Sequence, residues 1–126
     1  VIVTKNGKNI FPEEVELYLN TNPVIEESIV YADDIDDETL VSVQIYPNYE
    51  QIKNNLKRQD ITKEDVQKSV EEAVKDVNKK LPKYKKIRNI EISEKEFEKT
   101  TTKKIKRHAN LKKKENKETI NIEVEE

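Results

Sequence analysis

Val1-Ile2-Val3-Thr4-Lys5-Asn6-Gly7-Lys8-Asn9-Ile10-Phe11-Pro12-Glu13-Glu14-Val15 is the stretch that decides the fold. Its opening residues favour an extended chain, because β-branched side chains pack well on a pleated surface. Asn6-Gly7 is a dipeptide that suits a type I′ turn, where both central residues need positive φ, so Val1 to Ile10 reads as a β-hairpin. Gly7 is the only glycine in the 126 residues. A chain that avoids glycine elsewhere keeps one here for a backbone reason, either the turn itself or close approach to a ligand. Pro12 then opens a helix at its first position, where the missing N–H costs nothing. Glu13 and Glu14 suit the positive end of the helix dipole. Ile10 and Val15 are spaced as a hydrophobic staple, and Val15, Tyr18 and Leu19 make one apolar face. Asn22-Pro23 ends the helix.

Downstream, Ser28 to Ala32 and Leu40 to Tyr46 read as strands flanking the acidic turn Asp33–Glu38. Val41, Val43 and Ile45 alternate with Ser42 and Gln44, the period of a strand with one buried face. Pro47 to Asp60 is polar and holds one short helix. Thr62 is an N-cap candidate with Asp65 in the capping-box position. Val66, Val70, Ala73, Val74, Val77 and Leu81 fall on one helical stripe, the strongest periodic signal in the chain, and Pro82 stops it. Ile87, Ile90 and Ile92 suggest a further strand within Lys86–Ser93. Ile120, Ile122 and Val124 alternate near the end, as an edge strand or a tail would. The expected fold is therefore α+β: an N-terminal β-hairpin and a small mixed sheet of about three strands flanked by helices.

The apolar fraction is 33% and the charged fraction 40%, so the core must be thin. Patterning of the apolar residues argues against disorder over most of the chain. The formal net charge of −2 gives no bulk attraction to nucleic acid or acidic lipid. Charge is unevenly spread, however. Lys99 to Lys117 holds nine Lys or Arg against the single acid Glu115, and Glu118 to Glu126 holds four glutamates and no base. The absence of cysteine excludes disulfides and thiolate metal sites and fits a cytosolic protein. No apolar run reaches the roughly 18 residues that span a bilayer. With no methionine and an opening in mid-strand, the chain reads as a piece of something longer.

Several chemistries are excluded by residue type. One histidine, His108, no cysteine and no Gly-x-Ser-x-Gly turn leave no nucleophilic triad. The acidic turn lacks the glycine and bidentate Glu of a calcium loop, so it reads as solvated, and no metal site is expected. A Gly-rich phosphate loop is absent. The basic stretch Lys103 to Lys114 suits phosphate, but it has little aromatic interleaving and no nucleic-acid module.

Three segments carry a family resemblance. Gly7-Lys8-Asn9-Ile10-Phe11-Pro12-Glu13-Glu14-Val15-Glu16 resembles the hairpin-to-helix motif of the acyl-adenylate-forming (AMP-binding) superfamily, which includes acyl-CoA synthetases, luciferases and peptide-synthetase adenylation domains. Val77-Asn78-Lys79-Lys80-Leu81-Pro82-Lys83-Tyr84-Lys85-Lys86-Ile87 resembles the stretch after that family's long helix. Phe97-Glu98-Lys99-Thr100-Thr101-Thr102-Lys103-Lys104-Ile105-Lys106-Arg107 resembles its C-terminal lysine motif. The matches stand in the right order over roughly Val1 to Arg107. Glu98 replaces a common Pro and Lys103 a common Gly. The second replacement is similar to long-chain fatty acyl-CoA synthetases, and it leaves the choice between Lys103 and Lys104 to register. Counting from Thr100 and from Ile105-x-Arg107 selects Lys104.

The resemblance implies a mobile C-terminal domain, residues 1–107, followed by a basic-then-acidic tail, residues 108–126. Lys104 would be the adenylation lysine, with Thr100, Thr102 and Arg107 as supporting motif residues. Gly7, Lys8 and Asn9 would form the hairpin presented to coenzyme A. ATP, Mg2+ and coenzyme A would be used by the full-length ligase and none held by this chain alone, which would then be inactive by itself. Its partners would be its own N-terminal domain, acyl-adenylate and CoA, in a cytoplasmic enzyme compatible with peripheral membrane association. Two alternatives stay open: a carrier-protein-loading adenylation enzyme, and a non-enzymatic nucleic-acid-binding module.

Overall fold

The computed structural model describes residues 1–112 and 119–124. Strands β1 (Ile2–Val3) and β2 (Asn9–Ile10) form the N-terminal hairpin, followed by helix α1 (Pro12–Asn20). Next come β3 (Ile25–Ile35), β4 (Glu38–Pro47), α2 (Tyr49–Leu56), α3 (Lys63–Asn78), a 3-10 turn (Lys83–Lys85), β5 (Ile87–Ile92), α4 (Arg107–Lys112) and β6 (Thr119–Asn121). The main sheet runs β3-β4-β5-β6, with β4 and β5 parallel and the other pairs antiparallel. It is the expected mixed sheet with one strand more, because the alternating end of the chain pairs Ile120 with Ile90. The remainder of the basic run and of the acidic end lies outside the described residues.

One core joins the hairpin, helices and sheet. Ile10, Val15 and Leu19 are buried with Val43, Ile45, Ile87 and Ile90, and against them lie Val70 and Val74 of α3. The α3 stripe is read correctly from Val66 to Val77, but the helix ends at Asn78, before Leu81 and Pro82. Its start is closed by the expected capping box, in which Asp65 N–H donates to Thr62 Oγ1 while Asp65 Oδ2 accepts from the Thr62 N–H. Leu81 continues the apolar face beyond the helix end. Buried Asn78 ties that end to the sheet. Its amide nitrogen donates 3.0 Å to the Ile87 carbonyl, and its Oδ1 accepts 2.8 Å from the Ile87 N–H.

Four expectations are corrected by packing. The Asn6-Gly7 turn is not type I′, since Gly7 has φ +79° but Asn6 is not among the positive-φ residues. Thr4 N–H donates to the Lys8 carbonyl and Gly7 N–H to the Thr4 carbonyl, enclosing the three-residue loop Lys5-Asn6-Gly7. The register Ile2↔Ile10 demands it, because both side chains go into the core and a two-residue loop would shift the pairing by one. The two-residue turn is instead Asp36-Asp37, with φ of 50° and 63°, joining strands that pair Ile35 with Glu38. On α1, Tyr18 is exposed and Glu16 is buried with Val15 and Leu19. Finally, β4 is buried on both faces: Ser42 and Gln44 are as enclosed as Val43. The second face carries Tyr31, whose hydroxyl donates to Glu91, and Ser42, whose hydroxyl donates to Asp33.

Candidate functional site

Thr100 to Lys104 forms a second hairpin tip with the same construction as the first. Lys99 bridges Ile105, as Val3 pairs with Asn9. Thr100 N–H donates 2.7 Å to the Lys104 carbonyl, and Lys103 N–H donates 2.9 Å to the Thr100 carbonyl. In each tip the threonine hydroxyl accepts 3.1 Å from a lysine N–H, Lys8 to Thr4 and Lys104 to Thr100. Thr100 Oγ1 also lies 3.0 Å from Thr102 Oγ1. The fifth position is lysine in both. The fourth is left-handed in both, Gly7 at φ +79° and Lys103 at φ +66°. Lys103 therefore fills a position where glycine would be unstrained. Lys104 is exposed, and among the described residues its ammonium has no ion-pair partner.

The lysine hairpin is pinned along both strands. On one side, Lys99 Nζ sits 2.7 Å from Glu27 of β3, and this carboxylate raises the lysine pKa above its ordinary value. On the other, Arg107 makes a two-pronged pair with Glu16 of α1: Nη1 donates 2.6 Å to Oε2 and Nη2 donates to Oε1. The carboxylate lifts the guanidinium pKa further, and Glu13 stands 3.8 Å away as a second acid. Glu16 Oε2 also accepts 2.8 Å from the buried Val30 N–H on edge strand β3. At the hairpin base, buried Asn110 donates to the Glu98 and Lys106 carbonyls and accepts from the Glu98 N–H.

The N-terminal tip lies elsewhere. Gly7, Lys8 and Asn9 are exposed, and a Cβ built on Gly7 would meet nothing within 4 Å. The turn conformation alone accounts for this glycine inside the chain. Lys8 and Lys85 place their ammonium groups 5.7 and 5.6 Å from the Tyr84 ring centre, which gathers two cations beside the tip. Among the described residues no hydrogen bond, ion pair or ring contact joins Lys104 to Gly7, Lys8 or Asn9. Of the lysine-motif residues, Thr100, Thr102 and Lys104 are brought together at the tip, while Arg107 turns to Glu16 and Glu13 of α1; the two motifs form separate hairpins.

Glu16, Glu27 and Asn110 are the residues that sequence reading missed. Glu16 had a signal, an acid on the buried face of an amphipathic helix. Glu27 and Asn110 had none, because the backbone N–H groups they accept from, Phe97 and Glu98, are 70 and 12 residues away. His108 is exposed. Among the described residues no group of three or more His, Cys, Asp or Glu could hold a metal ion, and no helix is long and apolar enough to cross a membrane.

Solved structures that share this fold include two CoA synthetases and an adenylation domain. The o-succinylbenzoate CoA synthetase of Bacillus subtilis aligns over 94% of this chain at 18% identity and a TM-score of 0.62. A Mycobacterium tuberculosis fatty acyl CoA synthetase aligns over 90% at 16% identity and a TM-score of 0.63. The adenylation domain of a carboxylate reductase from Mycobacterium chelonae aligns over 90% at 15% identity and a TM-score of 0.70. These alignments cover 20%, 19% and 18% of the respective neighbours, so the chain spans about a fifth of their length. No curated protein sequence matches it. The family model described as "AMP-binding enzyme C-terminal domain" matches residues 1–121. With two lysine-bearing hairpin tips set around a small mixed sheet, and that match spanning both, the chain belongs to the AMP-binding enzyme C-terminal domain family.

Proposed function

We propose that this chain serves as the mobile C-terminal domain of an AMP-forming acid–thiol ligase, an acyl-CoA synthetase that prefers long-chain fatty acids, with Lys104 as its adenylation lysine. The observation that carries the reading is the exposed Lys104 ammonium at the tip of a pinned hairpin. The left-handed conformation of Lys103 supports the register, since that is where a motif glycine would stand. Residues 1–107 carry both motifs, and described residues beyond them complete the same fold through Asn110 and strand β6.

ATP supplies the electrophilic α-phosphorus and the pyrophosphate leaving group. Joining a carboxylate to it brings two anions together while charge builds on the phosphate oxygens. Lys104 bridges the two as a compact cation on a long stem. Thr100 and Thr102 hold the turn beneath it, and Arg107 anchors the strand that follows. For the second half-reaction the domain turns, Lys104 withdraws, and Gly7, Lys8 and Asn9 face the coenzyme A side, where Lys8 and Lys85 suit a polyanion. Mg2+ would screen the phosphate charge of ATP and would be held by the larger domain, as would the acyl chain. The enzyme works in the cytoplasm, needs no nucleic acid, and this domain alone is inactive.

The test uses the full-length enzyme. Lys104→Ala should cut ATP–pyrophosphate exchange by about 100- to 1000-fold, the loss typical of one such stabilising contact. Thioester formation from preformed acyl-adenylate should survive. Equal failure of both half-reactions would sink the two-orientation reading, and a loss in Lys103→Ala alone would move the role to its neighbour. A carrier-protein-loading adenylation enzyme is the second reading, prompted by the likeness to a carboxylate reductase adenylation domain. Acyl transfer to a carrier protein in preference to coenzyme A would favour it.

A further inference from the structure

Glu16 is a carboxylate that joins three separate parts of the fold. It belongs to α1, it accepts the outward-facing Val30 N–H of β3, and it receives both prongs of Arg107 at the foot of the lysine hairpin. It is only 8% exposed. Two carboxylate oxygens, largely withdrawn from water, thus serve three donors, two of them from an Arg107 side chain that is 39% exposed, and such charge-assisted hydrogen bonds are strong and directional. A fork-shaped guanidinium fixes orientation as well as distance, which a lysine at 107 could not do. The other anchor of the hairpin, Lys99 on Glu27, is enclosed to a similar degree, but its ammonium is a point charge that fixes distance without the orientation of a fork.

Helix α1 begins two residues after Ile10, the buried end of the first hairpin. The same short helix therefore carries the Gly7 tip through the chain and the Lys104 tip through a side chain. We infer that Glu16 is a positioning residue for Lys104: through Arg107 it sets the direction of the lysine hairpin on α1, and it holds the two tips in one fixed relation. The catalytic part of this inference rests on the ligase reading. Its structural part does not. A domain that must withdraw one tip as it advances the other needs that relation to stay fixed during the swing.

The experiment takes the full-length protein with Glu16→Gln and, separately, Arg107→Lys, which keeps the charge and loses the fork. Hydrogen exchange in the 97–107 segment should rise at least about tenfold while the α3 amides stay protected, as expected for local opening. The adenylation rate constant should fall on the order of tenfold to a hundredfold, with KM for ATP little changed, because misplacement of a reacting group costs that much. Thioester formation from preformed acyl-adenylate should be retained. Unchanged exchange at 97–107 in both variants would overturn the inference, as would exchange raised evenly over the domain or equal loss in both half-reactions. Lys104→Ala run alongside separates the two ideas. If it leaves adenylation intact the ligase reading of Lys104 fails, while the exchange data still decide whether Glu16 positions the hairpin.

Discussion

Gly7 and Lys103 occupy the same left-handed position in two hairpin tips with the same backbone hydrogen bonds, 96 residues apart, and only one of them is glycine. A side chain in that conformation costs about 1–2 kcal/mol, while glycine concedes about 0.4–1 kcal/mol through the freedom of the unfolded chain. The balance favours glycine at both places by roughly 0.5–1 kcal/mol.

Lys103→Gly should therefore stabilise the domain by about 0.5–1 kcal/mol, and Gly7→Ala should destabilise it by a similar amount. The open space around Gly7 leaves the φ angle as the whole of that effect. Urea unfolding of both variants, with midpoints compared at equal slope, checks the pair of opposite signs.

Asp65 in the α3 capping box should titrate below the usual carboxylate range, because the Thr62 backbone N–H is bonded to its charged form. A depressed folded pKa means the stabilisation is present above the ordinary aspartate value and disappears as pH falls through the lower folded value. Carboxyl NMR titration should show that low midpoint, and Thr62→Ala should cost about 1 kcal/mol. An ordinary Asp65 midpoint would disprove the box in solution.

Tyr31 should remain neutral through the alkaline range. Burial first, then the hydrogen bond to Glu91, raise its pKa far above the ordinary value. Its stabilising effect is complete below the unfolded tyrosine value near pH 10 and is lost progressively above it. Ultraviolet titration of the native domain should find Tyr31 silent, and Tyr31→Phe should leave that titration curve unchanged while costing about 1–3 kcal/mol by stranding a buried acceptor.

Ile45→Ala should cost about 2–5 kcal/mol, since this central-strand side chain is fully enclosed between β3 and β5. Val3→Ala, on the open side of the hairpin and 54% exposed, should stay within about 0.5 kcal/mol. Thermal unfolding in parallel tests whether the core lies where the contacts put it.

Local signals were enough to find most elements. Pro12, the Thr62–Asp65 box and the stripe from Val66 to Val77 each report on neighbours within one or two helical turns, so the sequence alone located α1 and α3. The same holds for the two lysine-bearing motifs, whose residues sit side by side in the chain. What needed tertiary structure was every choice settled by distant partners. The burial of Ile2 opposite Ile10 overruled the turn that Asn6-Gly7 suggests, and the enclosure of Ser42 and Gln44 overruled a one-sided strand. Glu16 shows the reason most plainly: its spacing along α1 puts it on the buried face, but only the arrival of Arg107, 91 residues later, makes a charge there tolerable.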